Sequence, residues 1–417
     1  MRSRCSLIAA LSALSFTMPA SAQVGVGGMQ VGVPGAQALP ERVLDPVLER
    51  TGRFTDRITR EVHKLAEERA RQINRLVRRN RDFIERDARG EPSRRGELLV
   101  MDADPATIAL AETQGFSVIG RQVLDGLDFA VVRFSVPQGA DLDDAERELI
   151  ELLPEAVVSA DNLYFQSGGS ASSVLMSNEQ VRPQRSNAAA VGMIDGAPGS
   201  AVPVIAMRGF ASGGGEPSNH GSAVASLLRN TGTTRIYAAD VYGTDRGGGN
   251  ASAIARALGW LAQQGVRIIT ISLVGPNNPI LSRAIAQVQS RGVVVVAAVG
   301  NDGPAAPPAY PASYAGVVAV TAVDRRERVL IEAGRALHLD YAAPGADIFG
   351  LDARGRNQRL RGTSYATPLV ASRIAQALGG SRDWRSTLDA EATDLGARGV
   401  DDTYGRGLVC RRCGARR

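Results

Sequence analysis

Between residues 191 and 378, short and nearly continuous apolar runs alternate with stretches whose apolar residues recur every three or four positions. The runs are VGMI at 191–194, VPVIAM at 202–207, RIYAADVY at 235–242, RIITISL at 267–273, VVVVAAVG at 293–300 and GVVAVTAV at 316–323. Amphipathic stretches start at His220, cover 250–264 and 279–290, and start again at Ser364. Strands apolar on both sides must be covered on both faces, which predicts an α/β fold with a parallel sheet between helical layers. In such sheets ligands collect beyond the carboxyl ends of the strands. Asp195 directly follows VGMI, Ser272 stands near the end of RIITISL, and Asn301 directly follows VVVVAAVG.

Those positions carry usable chemistry. The chain has three histidines: His63 in a charged helical stretch, His338 beside a late strand, and His220 just before a glycine-led apolar helix. A serine hydroxyl is a weak nucleophile at its own pKa, so it needs an imidazole base, which in turn needs an orienting carboxylate. Ser364 lies in Gly362-Thr363-Ser364-Tyr365-Ala366-Thr367-Pro368, where Gly362 permits a tight turn and a helix follows. An N-capping serine is the bland alternative there, and a turn asparagine is the alternative at Asn301. Asp195-Gly196-Ala197 alone reads equally as a common turn after a strand. The order Asp195, His220, Ser364 is the subtilisin order and differs from those of chymotrypsin and the α/β-hydrolases.

On GTSYATP, HGS at 220–222, DGA at 195–197 and NDGP at 301–304, the chain resembles the subtilisin-like serine peptidases (subtilases, peptidase family S8) over 188–410. The resemblance implies that Ser364 attacks a peptide carbonyl, His220 shuttles the proton, Asp195 orients the ring, and Asn301 with the Ser364 amide holds the oxyanion. It places Ser272, Leu273, Val274 and Gly275 on one edge of a substrate strand and Gly248, in the GGG at 247–249, on the other. Val274 stands where the family has glycine, which implies a narrowed S1 pocket. Ser222 replaces a threonine, and the hydroxyl residue usual after the aspartate is absent. Calcium is common in the family; no cofactor is expected here, because no calcium-site pattern is identified.

Ahead of this region, 96–165 reads as strand, helix, strand, strand, helix, strand, the ferredoxin-like plan. Its position makes it similar to the subtilase inhibitory propeptide, with cleavage expected after Phe165 and a connector over 166–187. Residues 1–22 read as a secretory signal peptide ending Ala20-Ser21-Ala22, and 23–43 as a disordered leader. Apolar residues from Leu44 to Phe83 at helical spacing predict an amphipathic helical region, closed by a GEPSRRG linker, over 44–95. Its charge is almost wholly arginine, Lys64 being the only lysine, and mixed with acids, so a solvated helix with a possible protein partner is expected rather than nucleic-acid binding. Cys410 and Cys413 suggest a local disulfide or a free pair, before a basic tail at 411–417.

The expectation is therefore an exported, secreted or periplasmic serine endopeptidase without a membrane span, made as a zymogen and acting on protein or peptide. The rival is an inert subtilase-fold binding or chaperone-like protein working through the N-terminal helix. A lipase or esterase is disfavoured by the triad order.

Overall fold

The computed structural model describes residues 64–167, 188–380 and 383–413, with the backbone of short strands at 24–26, 29–31 and 169–171. The chain divides into residues 1–59 and 60–417. In the first unit β1 (Val24–Val26) and β2 (Met29–Val31) form an antiparallel pair, within the stretch read as a disordered leader. The signal peptide, His63, most of the connector and the last four residues of the tail lie outside the described residues.

The second unit opens with helix α1 over 64–79, within the predicted helical region. It stops earlier than the spacing suggested: Asn80 Nδ2 donates to the Leu76 carbonyl at 3.0 Å, and Phe83 lies beyond the helix under the Arg246 guanidinium. A five-stranded antiparallel sheet follows, of β3 (Ile84–Arg86), β4 (Pro92–Met101), β5 (Ser117–Val123), β6 (Ala130–Ser135) and β7 (Val157–Asn162). Helices α2 (Pro105–Thr113) and α3 (Leu142–Leu152) cover one face. Strands β7, β4, β6 and β5 lie side by side in that order, with β3 beside the start of β4. This is the ferredoxin-like arrangement. Asp104 starts α2 by accepting from the Thr107 amide at 2.7 Å, with Pro105 in the first turn where no backbone donor is needed. The expected linker at 90–96 is instead largely the first half of β4. Its arginines face partners across the chain, Arg94 meeting Asp245 at 2.8 Å, so it lacks the apolar alternation that betrays a strand.

Two short strands, β8 (Phe165–Gln166) and β9 (Gly169–Ala171), lead into the large domain. There β10 (Val191–Asp195), β11 (Ala206–Gly209), β12 (Ile236–Asp240), β13 (Ile268–Ile271), β15 (Val294–Ala298), β16 (Val318–Val323) and β17 (Tyr341–Pro344) form one parallel sheet. Between β13 and β15 runs the two-residue β14 (Leu273–Val274). The sheet order β11-β12-β10-β13-β15-β16-β17 makes the central strands β10 and β13 neighbours. Helices α4 (Asn219–Asn230) and α7 (Thr363–Gly380) pack on one face, and α5 (Ala251–Gln263) and α6 (Pro279–Ser290) on the other. Strand β11 begins four residues after the predicted 202, because an exposed edge strand needs no continuous apolar run. The hairpin β18 (Ala346–Leu351) and β19 (Asn357–Arg361) and the short helix α8 (Trp384–Glu391) complete the domain. Cys410 and Cys413 are joined as a disulfide. Among the described residues no helix is long and apolar enough to cross a membrane.

The small sheet lies with its other face on α5 and α6: Leu99, Met101, Phe129 and Val131 share a core with Leu258, Leu261, Ile280 and Leu281. Polar groups finish this seam. The Asp161 carboxylate accepts from Ser252 N–H at 2.9 Å and Ser252 Oγ at 2.8 Å, at the start of α5 where helix amides lack partners. At the start of α6, Asn278 Nδ2 donates to the Ala160 carbonyl at 3.0 Å and to Asn162 Oδ1 at 2.9 Å.

Candidate active site

Asp195 ends the central strand β10 and is wholly buried, and His220 is the second residue of α4. Glycine brings the two together. A Cβ on Gly221 would stand 2.0 Å from the Gly196 carbonyl, and one on Gly196 would stand 2.6 Å from Ser218, which caps α4. Only residues without side chains let the helix start cross the Asp-Gly turn so closely. His220 Nδ1 then lies 2.9 Å from both Asp195 oxygens. Asp195 Oδ1 also accepts from the Gly196 amide at 2.7 Å and from Gln166 Nε2 at 3.2 Å.

Ser364 sits in the first turn of α7 and is buried beside the same cleft. Its Oγ does not bond His220. It lies 2.6 Å from Ser167 Oγ and donates to the Ser272 carbonyl at 3.1 Å, leaving His220 Nε2 buried without a partner. Pro368, inside α7, has no amide hydrogen to give the carbonyl of Ser364 one turn back; Ser272 Oγ donates to that carbonyl instead, at 2.9 Å.

The cleft is filled by the chain itself. The Ser167 carbonyl accepts from the Ser364 amide at 3.1 Å and from Asn301 Nδ2, while Asn301 Oδ1 accepts from the Thr363 amide at 3.0 Å. Ser167 N–H donates to the Ser272 carbonyl at 3.3 Å. Upstream, Phe165 and Gln166 of β8 pair antiparallel with Val274 and Leu273 of β14. Tyr164 is fully buried, its ring against Gly275 and its hydroxyl donating to the Pro276 carbonyl at 2.7 Å. Downstream, β9 pairs antiparallel with β19, so a short paired strand lies on each side of Ser167.

The structure brings several of the expected residues together. Asp195 and His220 come together, and Ser364 and Asn301 converge on one carbonyl. Ser272, Leu273, Val274 and Gly275 all border the segment. Two shift. Gly249, not Gly248, faces the other edge, its carbonyl accepting from Tyr164 N–H at 2.8 Å; Gly248 turns its amide to the Asp245 carbonyl. The carbonyl between the two donors belongs to Ser167, two residues beyond the expected end at Phe165. Gln166 and Ser167 were missed as site residues, and the Tyr-Phe-Gln-Ser run alone carries no mark of which residue meets the serine. His338 bonds the Val317 carbonyl at 2.8 Å and takes no part in this cluster. Among the described residues no group of three or more His, Cys, Asp or Glu side chains is placed to hold a metal ion.

Residues 211–407 match the Subtilase family, a stretch that begins after Asp195. Subtilisin BL from Lederbergia lenta is 35% identical over 232 residues, which are 50% of this chain and 84% of that protein. In fold, the chain is similar to fervidolysin from Fervidobacterium pennivorans, with a TM-score of 0.63 at 18% identity over 77% of this chain and 61% of that one. It is similar also to the epidermin leader peptide processing serine protease of Staphylococcus aureus, with a TM-score of 0.57 at 15% identity over 76% of this chain and 98% of that one. With the subtilisin order of acid, imidazole and hydroxyl and this degree of identity across most of a subtilisin, the chain belongs to the subtilase family and is a serine endopeptidase.

Proposed function

We propose that the protein is exported as a zymogen and that its own segment 164–167 is its first substrate. The observation that carries this reading is the Ser167 carbonyl, held by the Ser364 amide and Asn301 Nδ2 while the residues before it pair with β14. Such pairing gives affinity through the backbone and leaves selectivity to alternate pockets. The pattern at residues 1–22 supports export.

Chemistry starts when the Ser364 hydroxyl turns from the Ser272 carbonyl toward His220 Nε2. The imidazole takes its proton as Oγ bonds to the Ser167 carbonyl carbon. The oxygen becomes an oxyanion between two donors already aimed at it, so little reorganisation is needed at the barrier. The Asp195 carboxylate fixes the Nδ1–H tautomer and stabilises the imidazolium. Its other acceptor contacts, to Gly196 and Gln166, keep the carboxylate in place. Collapse breaks the C–N bond, the proton passes from His220 to the Gly168 amine, and water then hydrolyses the acyl-enzyme by the same route in reverse.

The test is the mature N-terminus. Wild type should begin at Gly168, and Ser364→Ala protein should keep residues 64–167 attached. A sulfonyl fluoride should label Ser364 and abolish hydrolysis of unfolded protein. Identical processing in both proteins would assign the cut to another enzyme; no cut between 160 and 190 would make the small domain permanent.

A further inference from the structure

The peptidase reading gives helix α1 no work, yet α1 lies beside the reacting centre. Arg69 Nε donates to Asp302 Oδ2 at 3.2 Å, and its Nη2 donates to Glu91 Oε2 at 3.4 Å. Asp302 and Gly303 directly follow Asn301, the side-chain donor to the Ser167 carbonyl. Leu65 lies so near Gly303 that a Cβ there would stand 3.0 Å from Leu65 Cβ and Cδ1, so the missing side chain is what lets the helix approach. Leu65, Ile73 and Leu76 bound one side of a chamber of about 500 Å³ whose other walls include Ser167, Val274 and Asn301, which is the S1 side of the cleft.

The seated face recurs at 65, 69, 73 and 76, while residues 67, 70, 71, 74 and 78 are exposed. No residue of the helix is fully buried, and the Arg69–Asp302 side chains are 25% and 41% exposed. An ion pair that open contributes little alone. Its described residues are largely polar and none is fully buried, so the helix is held by what it rests on.

We propose that α1 is the helical ligand of a docking surface on the S1 rim, centred on Asp302 and Gly303. It is a second hold on the peptidase domain, separate from β8 in the cleft, and the proposal rests on the reading that the segment ending at Ser167 is cut. The surface fits an amphipathic helix presenting leucine and arginine one turn apart, as at Leu65 and Arg69. Because α1 and β8 belong to one continuous stretch, each raises the effective concentration of the other at its own site. After the cut, both must come away before S1 opens to a new substrate, so α1 sets how long the cleaved protein stays latent.

The test uses the full chain. The interval between the cut at 167–168 and full hydrolysis of a tetrapeptide amide is measured per site titrated with a sulfonyl fluoride. Leu65→Ala with Arg69→Ala should shorten it about tenfold. Arg69→Asp should shorten it as well, and adding Asp302→Arg should restore the wild-type interval, which a merely structural loss would not do. In Ser364→Ala protein, hydrogen exchange at 64–79 should quicken in the Leu65→Ala, Arg69→Ala variant while 164–167 stays protected. An unchanged interval, a charge reversal that restores nothing, or exchange rising together at 64–79 and 164–167 would overturn the proposal. If wild type never cuts itself, the zymogen reading falls, and the exchange measurement still decides whether α1 is a separate hold.

Discussion

The large sheet has α4 and α7 on one face and α5 and α6 on the other, all from its own domain. The small sheet has α2 and α3 on one face, but its second face rests on α5 and α6 of the large domain. Strand β4 shows the division residue by residue: Leu98 and Val100 face its own helices, Leu99 and Met101 face the neighbour. The same two helices therefore sit between two sheets. A domain with a borrowed face is stable where it is docked and exposes an apolar sheet if it leaves.

The largest probe of this contrast is at the borrowed face. In Ser364→Ala protein, Phe129→Ala should weaken docking by about 3–5 kcal/mol, the usual cost of emptying a buried aromatic site. Exchange at 92–162 should quicken while 191–298 stays protected to global unfolding; equal loss over both would break the contrast. Smaller, and dependent on pH, is Asp161. Burial raises its carboxyl from 3.8 to about 6, against the opposing hydrogen bonds of Ser252. The docked chain thus retains a proton that the free chain has lost between about pH 4 and pH 6, so this contribution to docking is present at low pH and is lost as pH rises through 6. Relative to wild type, Asp161→Asn should gain about 2 kcal/mol of seam stability between pH 4 and pH 7. A difference that is flat with pH would remove the electrostatic account.

The smallest effect is expected where the two domains share the cleft. Val274 pairs with Phe165 and reaches across toward Gly300, where a Cβ would lie 3.4 Å from Val274 Cγ1. Val274→Gly should raise kcat/KM for large aromatic P1 residues relative to alanine about tenfold, within the range one pocket wall can supply. An unchanged P1 profile would show that this residue does not bound the pocket.

Much of this was legible in sequence because the signals were local or periodic. Continuous apolar runs gave away six of the seven strands of the large sheet, and GTSYATP and HGS located Ser364 and His220. The misses depended on partners far along the chain. Arg94 hides the start of β4, because its charge is answered by Asp245, 151 residues on. The register of 164–167 is set by Tyr164 seating between Gly275 and Gly249, which no reading of Tyr-Phe-Gln-Ser can supply. Only a late strand beside His338 marks the region of β17, and the β18–β19 hairpin was missed: β17 is four residues ending at Pro344, and β19 carries Arg359 and Arg361 in place of an apolar run.

Ser272 also bears on mechanical tolerance. Its carbonyl receives the Ser167 amide, and its hydroxyl holds the turn of α7 that Pro368 leaves open. One residue therefore serves as datum for both the 165–167 segment and the start of α7. A shift of Ser272 acts on the helix turn and on the 165–167 segment through the same residue. Proline in the helix leaves the Ser364 carbonyl to Ser272, so Pro368→Ala would give it a second donor and make the tie to the strand dispensable for holding the turn.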